Sequence, residues 1–560
     1  MNRKVNFIFL FIFSILWVRL GVGPAYISPD GTGYFSYLYS LLVDRDLDFE
    51  NEYRDMKWPL PYASTPTGYI SNIWPIGSAW ILYPMGLLGQ ASRRIFGLGI
   101  EHGLLEWVLI FFNMGSTLFG IAAVWLCYLG LTDSGLTSPI SCFLALAVFM
   151  GTQHFFYTFS VPSSTHAVSA FMVSFFLLHW TRTYRQGSQS LLRWFFMGLL
   201  LGSAGTVRSE NLLFMIAPLC EWFDLQRRAD PRGLSTLKFL GVYALGIVLG
   251  FSPQLYCWKI LYGRFLYSPQ VFNLSPSNFA LYDVLFSPFH GLLPWTPIFL
   301  AGFLGLILTS RLSLTNLALF LTVLAQLLLA SFAVAWWGGY SFGIRVLTNC
   351  LFPIALGLGF IIRGIKDTSQ SGARYFLAIL TGMALWTFSL CLQAMISWID
   401  LGGFVFSWGT ILTWQGRFLQ ACDAAVTRFI QNRYLSNLEF LVALCSVWGA
   451  VGLAWALQRY FKRYWALTSS VSLTVWFILF NIKLFEAQRN GPRIRIQTGV
   501  AQEDLSKVFL LQALYGRWYY ELNRNDFAGA RKTIERQLRI DPQSMEARKA
   551  LQYATMRQEE

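Results

Sequence analysis

Apolar runs of about 20 residues recur along almost the whole chain, from Val5 to Phe485. A helix of that length crosses a hydrocarbon layer of roughly 30 Å, and in lipid the backbone must satisfy its own hydrogen bonds. Charged residues make up only 13% of the chain, against about 25% in soluble domains. The sequence therefore predicts an all-α, polytopic membrane helical bundle.

We predict 13 membrane spans from the apolar runs, at 5–22, 104–130, 139–157, 164–181, 192–205, 209–224, 238–258, 292–309, 315–335, 345–362, 375–397, 437–457 and 466–485. The segment 76–96 is long enough to span but is interrupted by Pro84 and Gly86. If it does not cross, the basic clusters of five connecting loops fall on the side of Arg3 and Lys4, which the positive-inside rule makes the cytoplasm. We therefore expect residues 76–96 to be re-entrant or interfacial.

This topology puts the N-terminus in the cytoplasm and the C-terminus outside, and it leaves four notable exterior loops: 23–103, 259–291, 336–344 and 398–436. The first loop contains an amphipathic stretch, 34–43, that suits an interfacial helix. Residues 1–485 form the predicted membrane domain. Residues 486–560 carry charges throughout and resemble the second half of one tetratricopeptide repeat, so we expect a small α-helical appendage, either a solvated cap or a protein-binding module.

The excess of basic residues does not indicate a nucleic-acid-binding protein. The 43 Lys and Arg, which give a formal net charge of +14, are scattered in ones to threes between apolar segments. Such scatter favours anionic headgroups and phosphate-bearing substrates as partners. The eight Cys are isolated, so they form neither a zinc pattern nor a disulfide framework.

One carboxylate stands where the predicted first span reaches the outer face, in the run Ser28-Pro29-Asp30-Gly31-Thr32-Gly33-Tyr34. Asp30 can act as a general base there if an acceptor hydroxyl or amine comes within hydrogen-bond reach. It can equally serve only as a helix N-cap.

The run Pro29-Asp30-x-Thr32-x-Tyr34 resembles the first-loop motif of the GT-C membrane glycosyltransferases, in particular the lipid A aminoarabinose transferase and the bacterial protein O-mannosyltransferases. Trp74-Pro75-Ile76-Gly77 falls where these proteins have a Pro-containing interfacial helix. Over roughly residues 1–365 the resemblance implies a GT-C fold in the bacterial inner membrane, with Asp30 as the catalytic acidic residue. The aminoarabinose transferase has a Lys where this chain has Trp74, so a phosphate contact made by that Lys must come from elsewhere.

Two arginines are candidates for binding the donor phosphate, because a guanidinium stabilises the charge that develops on a phosphate leaving group. Arg208 lies at a predicted outer turn, and Arg345 opens a span on the same side. Each can instead reach lipid headgroups or pair locally, Arg208 with Glu210 for example.

Further side chains on this side can contact substrate, namely His166, His290, Tyr34, Trp336 and Trp337. The two His are equally well explained as satisfied interfacial residues, and the two Trp as members of an aromatic belt. Asp44, Asp46 and Asp48 resemble the D-x-D run of metal-dependent transferases. They spread round a helix and are interleaved with Arg45, which favours a structural acidic loop, and we predict no metal and no cofactor.

We therefore expect a membrane glycosyltransferase that moves a sugar from a polyprenyl-phosphate-linked donor to a lipid, glycan or protein acceptor outside the cytoplasm. Two alternatives remain: a transporter or flippase of lipid-linked sugars, which usually has internal repeats and broken helices at mid-membrane, and a polymerase or ligase of surface polysaccharide. The sequence does not distinguish the sugar or the acceptor.

Overall fold

The computed structural model describes residues 27–56, 64–96, 103–228, 234–267, 274, 279–339, 341–397, 408–420, 422–423, 474–475, 478–484, 514, 518, 521–522 and 526–559. This part of the chain is helical, with 82% helix and no strands. The all-α fold class predicted from the sequence is therefore confirmed.

The first half of the described chain contains α1 (Pro29–Tyr39), α2 (Glu50–Asp55), α3 (Gly77–Phe96), α4 (Leu104–Asp133), α5 (Ser138–Gly151), α6 (His154–Phe159), α7 (His166–Arg185), α8 (Leu191–Val207), α9 (Ile216–Arg228) and α10 (Leu234–Tyr262). After these come α11 (Leu281–Phe286), α12 (Leu292–Trp295), α13 (Pro297–Thr309), α14 (Leu314–Phe332), α15 (Leu351–Thr368), α16 (Gln370–Ser397), α17 (Trp408–Gly416), α18 (Phe527–Ile540) and α19 (Met545–Glu559). Short 3-10 helices occupy Pro162–Ser164, Ser209–Met215 and Arg345–Cys350.

Five helical segments of the described residues are long and apolar enough to cross a membrane: Leu104–Asp133, Thr236–Tyr262, Leu314–Phe332, Arg345–Thr368 and Gln370–Met395. Three shorter apolar helices are α5, α8 and α13. These segments identify a membrane protein. The predicted spans 5–22 and 437–457 lie outside the described residues, and 466–485 is described only in part, so the number of 13 stays a prediction.

Several predicted spans are divided in the structure. The span 139–157 breaks between α5 and α6, where Thr152 is extended with φ −126° and ψ 170°. The span 209–224 begins as a 3-10 helix and becomes α-helical only at Ile216, because Pro218 lacks an N–H and belongs in a first helical turn. In the same way Pro297 starts α13 and divides the predicted span 292–309. Hydropathy does not reveal such breaks.

Helices α8 and α10 pack through glycines, which allows their backbones to approach closely. A Cβ atom on Gly202 would lie 2.3 Å from the carbonyl oxygen of Ile247, and one on Gly246 would lie 2.3 Å from that of Phe195. Gly198 and Gly250 meet the facing backbone in the same way. In lipid, small residues at four-residue spacing are what lets helices associate by close van der Waals contact.

The helix predicted at 34–43 is present, as α1 and the π-helical turn Ser40–Asp44 that follows it. Its apolar residues do not form an open face, however: Phe35 and Leu38 are fully buried, with Phe35 against Phe112 of α4 and Leu38 beside Gly86 of α3. The segment 76–96 is one continuous helix, α3, which runs through Pro84. Among the described helices it is not one of those apolar enough to count as a candidate span.

Charged side chains connect the helices at one end of the bundle, where α4, α7 and α15 meet. Arg185 Nη1 donates to the Asp133 carbonyl at 2.6 Å, and Arg363 Nη1 donates to the Ser134 carbonyl at 3.1 Å. Nearby, Arg193 and Glu221 form a buried bidentate ion pair, with N–O distances of 2.6 and 2.7 Å. This end therefore gathers basic residues that the sequence assigned to one side of the membrane.

The last described residues form a helical hairpin, α18 and α19. Ala530, Ile534, Ala547 and Ala554 are buried between the helices together with Trp518, and the indole Nε1 of Trp518 donates to Gln537 at 2.6 Å. The predicted α-helical appendage is thus present over these residues. Binding of a partner by it stays a prediction.

Candidate functional site

Four chain segments meet at the end of the bundle opposite the basic cluster. They are the start of α1, the start of α7 with the 3-10 turn before it, the turn after α8, and the 3-10 helix that leads into α15. Because α7 and α8 are antiparallel neighbours, His166 and Val207 lie at one end of the pair while Arg185 and Leu191 lie at the other. These segments carry five of the site residues predicted from the sequence: Asp30, Tyr34, His166, Arg208 and Arg345. The other three, His290, Trp336 and Trp337, lie in the loops after α11 and α14.

Asp30 lies in the first turn of α1 and is not its cap. The N-cap is Ser28, whose Oγ accepts a hydrogen bond from the Gly31 N–H at 3.0 Å. Ser163 fixes this start, since its Oγ accepts from the Ser28 N–H at 3.0 Å and a Cβ on Gly31 would lie 2.5 Å from it. The capping alternative for Asp30 is therefore wrong, because Ser28 already satisfies the helix start.

The carboxylate of Asp30 forms an ion pair with Arg345, whose Nη1 donates to Asp30 Oδ2. The Asp30 side chain is 25% exposed and that of Arg345 is 26% exposed. A ligand can therefore reach both partners without unfolding the surrounding helices. This pair joins the first loop to the segment before α15.

A second ion pair lies beside the first, between Arg208 in the turn after α8 and Glu210 in the following 3-10 helix. It is more enclosed, with Arg208 11% and Glu210 4% exposed. Burial opposes the charged guanidinium, but Glu210 and the neighbouring Tyr34 and Asp30 raise the pKa of Arg208 above its ordinary value. Arg208 is thus cationic, and the local pairing with Glu210 considered from the sequence is present.

Tyr34 stands between the two ion pairs. The charges of Arg208, Asp30, Glu210 and Arg345 all act on its hydroxyl, which establishes that these groups share one neighbourhood. Burial raises the pKa of Tyr34 above its ordinary value, so the phenol stays protonated. The side chain is 2% exposed, which makes it part of the wall behind the accessible pair.

Glycines shape the loop that precedes Arg345. Gly338 and Gly339 have φ angles of 77° and 76°, in the left-handed region that favours glycine. A Cβ on Gly338 would lie 3.2 Å from Arg345 Nε. These two glycines therefore let the backbone fold closely over the guanidinium.

Trp336 and Trp337 do not fit either interpretation drawn from the sequence. They are 5% and 3% exposed, and both rings contact Phe289, at centroid distances of 6.5 and 5.9 Å. An aromatic belt and stacking on a sugar both need an exposed ring face. In this structure the two indoles instead support the loop that carries Arg345.

The two predicted histidines also lie close to the arginines but are buried. The Tyr157 ring packs on the His166 ring at 4.5 Å, and the charges of Arg208 and Arg345 act on His166. His290 stacks on Trp295 at 5.4 Å. Burial, with a contribution from Arg345, lowers the pKa of His290 to about 3, so its imidazole is neutral at pH 7. Both rings lie behind the accessible ion pair.

The run Trp74-Pro75-Ile76-Gly77 holds two segments of the site together. A Cβ on Gly33 would lie 2.2 Å from the Trp74 ring, so that indole covers α1 one turn after Asp30. A Cβ on Gly77 would lie 2.2 Å from the Thr206 backbone carbon, and Trp80 Nε1 donates to Thr206 Oγ1 at 2.9 Å. Trp74 thus has a packing role.

The acidic run after α1 is used for local hydrogen bonds. Asp46 Oδ1 accepts from Ser40 Oγ at 2.8 Å, Asp48 Oδ1 accepts from the Glu50 N–H at 3.3 Å, and Asp44 Oδ2 accepts from Asn51 Nδ2 at 2.9 Å. Within the described residues no three His, Cys, Asp or Glu side chains converge in a way that could hold a metal ion. A structural role of the acidic loop therefore accounts for the hydrogen bonds of these three carboxylates.

Sequence reasoning missed three polar residues of the site. The hydroxyl of Tyr157 accepts from the Phe342 N–H at 3.0 Å, in the loop just before Arg345. Asn211 and Asn349 form a buried amide contact beneath the two arginines. Nothing in the sequence marks Tyr157. Asn211, however, closes the polar run Arg208-Ser209-Glu210-Asn211 between two apolar segments, and this run could have drawn attention to it.

No protein-family model and no curated protein matches this chain. The chemistry of the site must therefore be argued from its own groups. An accessible carboxylate can take a proton, and two guanidiniums beside it can bind a phosphate group.

Proposed function

We propose that this chain is a membrane glycosyltransferase of the GT-C type, which transfers a sugar from a polyprenyl-phosphate-linked donor to an acceptor lipid, glycan or protein. The observation that carries the proposal is the accessible ion pair between Asp30 and Arg345, with a second arginine, Arg208, held beside it. A base and a phosphate-binding cation in one pocket are the two groups that such a transfer needs.

In the proposed reaction the acceptor hydroxyl or amine attacks the anomeric carbon of the donor sugar. Asp30 takes the proton of the acceptor as the new glycosidic bond forms. The bond between the anomeric carbon and the phosphate oxygen breaks, and its electron pair leaves with the polyprenyl phosphate. That phosphate gains a negative charge, which Arg345 and Arg208 offset.

The ion pair must open during this cycle. A phosphate can accept two parallel hydrogen bonds from one guanidinium, so the donor competes with Asp30 for Arg345. Release of Arg345 leaves the Asp30 carboxylate available to the acceptor. Glu210 keeps Arg208 in place while this exchange occurs, because their ion pair is the more deeply buried of the two.

The proposed side of the membrane follows from charge. Arg182, Arg185 and Arg363 meet at the end of the bundle that carries Asp133 and Ser134, whereas Asp30 and Arg345 lie at the opposite end. By the positive-inside rule the basic end is cytoplasmic. The proposal therefore has the site facing outward from the bacterial inner membrane, with a donor embedded in the outer leaflet.

The experiment compares the envelope of cells with and without this protein. Glycolipids and glycoproteins are analysed by mass spectrometry, and the deletion is complemented with the wild type or with Asp30→Asn. We expect a sugar-sized mass on one class of acceptor that the wild type restores and Asp30→Asn does not. If the deletion shortens a glycan chain instead of removing a single sugar, the result would favour a polymerase or ligase. The donor could instead accumulate in the deletion strain, with Asp30→Asn relieving this accumulation as well as the wild type does. That result would contradict the proposal and favour a flippase.

A further inference from the structure

Asn211 makes every hydrogen bond that its side chain can make, and it is fully buried. Its Nδ2 donates to Ser169 Oγ and to the Ala204 carbonyl, both at 2.9 Å. Its Oδ1 accepts from Ser169 Oγ at 3.1 Å and from Asn349 Nδ2 at 3.0 Å. An asparagine side chain has two N–H donors and one oxygen that accepts two bonds, so no capacity is left over.

These bonds join the two segments that carry the arginines. Asn211 lies one turn after Arg208, and its backbone N–H donates to the Arg208 carbonyl at 3.0 Å. Asn349 lies one turn after Arg345 in the other 3-10 helix, where Thr348 Oγ1 donates to the Arg345 carbonyl at 2.6 Å. The contact between the two amides thus connects the two backbone segments that carry Arg208 and Arg345, which lie far apart in the sequence.

A third segment is drawn in from α14. Gln326 Nε2 donates to the Glu210 carbonyl at 2.8 Å, and the bond is buried. Glu210 is the ion-pair partner of Arg208. Glu210 and Asn211, which both follow Arg208 closely, are thus each bonded by a side-chain amide, Glu210 by Gln326 and Asn211 by Asn349. The 3-10 geometry of both segments makes this support necessary, since short 3-10 helices have poorer internal hydrogen bonds than α-helices.

We infer that Asn211 is a positioning residue, which fixes the segments of Arg208 and Arg345 relative to each other so that both guanidiniums meet one phosphate group. The phosphate part of this inference rests on the proposed function. The coupling of the two segments does not, and it can be measured separately. Each arginine is paired with its own carboxylate, so neither ion pair by itself sets the spacing between the guanidiniums.

The coupling is tested by hydrogen–deuterium exchange on the full chain, purified in detergent. We expect Asn211→Ala to speed exchange both at 209–215 and at 345–350, although the second segment is unchanged in sequence. The control is Thr117→Val, which also removes one buried hydrogen bond, from Thr117 Oγ1 to the Thr158 carbonyl at 2.9 Å, but touches neither segment. Faster exchange confined to 209–215 would overturn the inference.

A second variant keeps the test decisive if Asn211→Ala does not fold. Asn349→Ala removes the contact between the two amides, together with the bond that Asn349 Oδ1 accepts from the neighbouring Cys350 Sγ, and it should give the same effect at 209–215. The double variant should be no worse than the more damaging single one, because coupled residues are not additive. Additive effects would show that the two amides act independently.

The phosphate consequence is measured with farnesyl monophosphate as the probe, by calorimetric titration of the same proteins. We expect Asn211→Ala to weaken its binding roughly tenfold to a hundredfold, the scale of a misplacement of about 1 Å, and Thr117→Val to leave it unchanged. Equal affinity of the wild type and Asn211→Ala would overturn the inference. If the wild type fails to bind the probe, the proposed function is wrong, while the exchange experiment still decides the coupling.

Discussion

Asp30 and Arg345 lie 315 residues apart in the sequence and form an ion pair at one end of the helical bundle. The pair is the most accessible part of the candidate site. The second ion pair, Tyr34 and the histidines lie more deeply around it.

Replacement of Arg345 tests its proposed exchange between Asp30 and the donor phosphate. We expect Arg345→Gln to raise the apparent KM for the donor by roughly 10-fold to 100-fold, since hydrogen bonds to charged groups contribute about 1.5–3 kcal/mol. Arg345→Lys keeps the charge but cannot bind phosphate through a planar fork, so it should recover only part of the loss. Steady-state kinetics over a range of donor concentrations measure this, and an unchanged KM in Arg345→Gln would count against the donor contact.

Removal of the buried partner of Arg193 should destabilise the opposite end of the bundle. In Glu221→Leu, Arg193 loses its charged partner and keeps only its bonds to Thr183 Oγ1 and the Ser188 carbonyl. Trp180 Nε1, which donates to Glu221 at 2.9 Å, loses its acceptor. Breaking a buried pair in this way costs about 3–5 kcal/mol of unfolding free energy. Chemical denaturation in detergent measures the loss. The exposed pair of Arg182 and Asp133 gives the control, because Arg182→Gln should cost at most about 1 kcal/mol.

Substitution of Gly202 tests the close packing of α8 on α10. Gly202→Ala puts a methyl group 2.3 Å from the Ile247 carbonyl oxygen, so the helices must separate, and overpacking of this kind costs about 1–3 kcal/mol. Gly382 in α16 has no atom within 4 Å of an added Cβ, so Gly382→Ala should be neutral or mildly stabilising. Thermal unfolding compares the two variants. Equal midpoints would show that the interface tolerates the extra methyl group.

Glu52 in α2 should make the protein less stable as the pH rises. Its side chain is buried, and burial, together with Asp44 and Asp46, raises its pKa well above the ordinary value. Between the unfolded and the folded pKa the native state binds more protons, so the free energy of unfolding falls with increasing pH.

The variant Glu52→Gln removes this titration. We expect it to raise the unfolding midpoint relative to the wild type at pH 7 and to lose most of that advantage at pH 4, where the wild-type carboxyl is protonated in the folded state and largely protonated in the unfolded state. Asp55→Asn, at an exposed position of the same helix, serves as the control and should show no such dependence. A difference between Glu52→Gln and the wild type that is the same at both pH values would contradict this account.

The sequence was sufficient for the class of fold and for the approximate position of the site. Apolar runs predict helices wherever lipid is the solvent, and charge bias arranges their ends, so Asp30, Arg208 and Arg345 were expected on one side before any contact was known. Hydropathy averages over whole segments, however. It therefore did not reveal the breaks at Thr152 and before Pro297, which depend on single residues.

The sequence could not predict which charged side chains pair or which aromatic side chains are buried, for a related reason. Which carboxylate pairs with which guanidinium depends on how the helices are rotated relative to one another. In the structure Asp30 pairs with Arg345, and Arg208 pairs with Glu210. Trp336 and Trp337 suggested an exposed surface by composition alone, yet Phe289 covers them. Asn211 is a single polar residue whose role depends on a partner 138 positions away, and no local pattern identifies such a contact.

The most direct test of the central claim is single-turnover sugar transfer by the purified protein with Asp30→Asn. The substitution keeps the shape of the side chain, and Ser28 remains to cap α1. We predict a transfer rate lower by about 10²–10⁴-fold, the usual contribution of a general base, with an unchanged unfolding midpoint. Transfer at the wild-type rate by the folded variant would remove Asp30 from the chemistry and contradict the account.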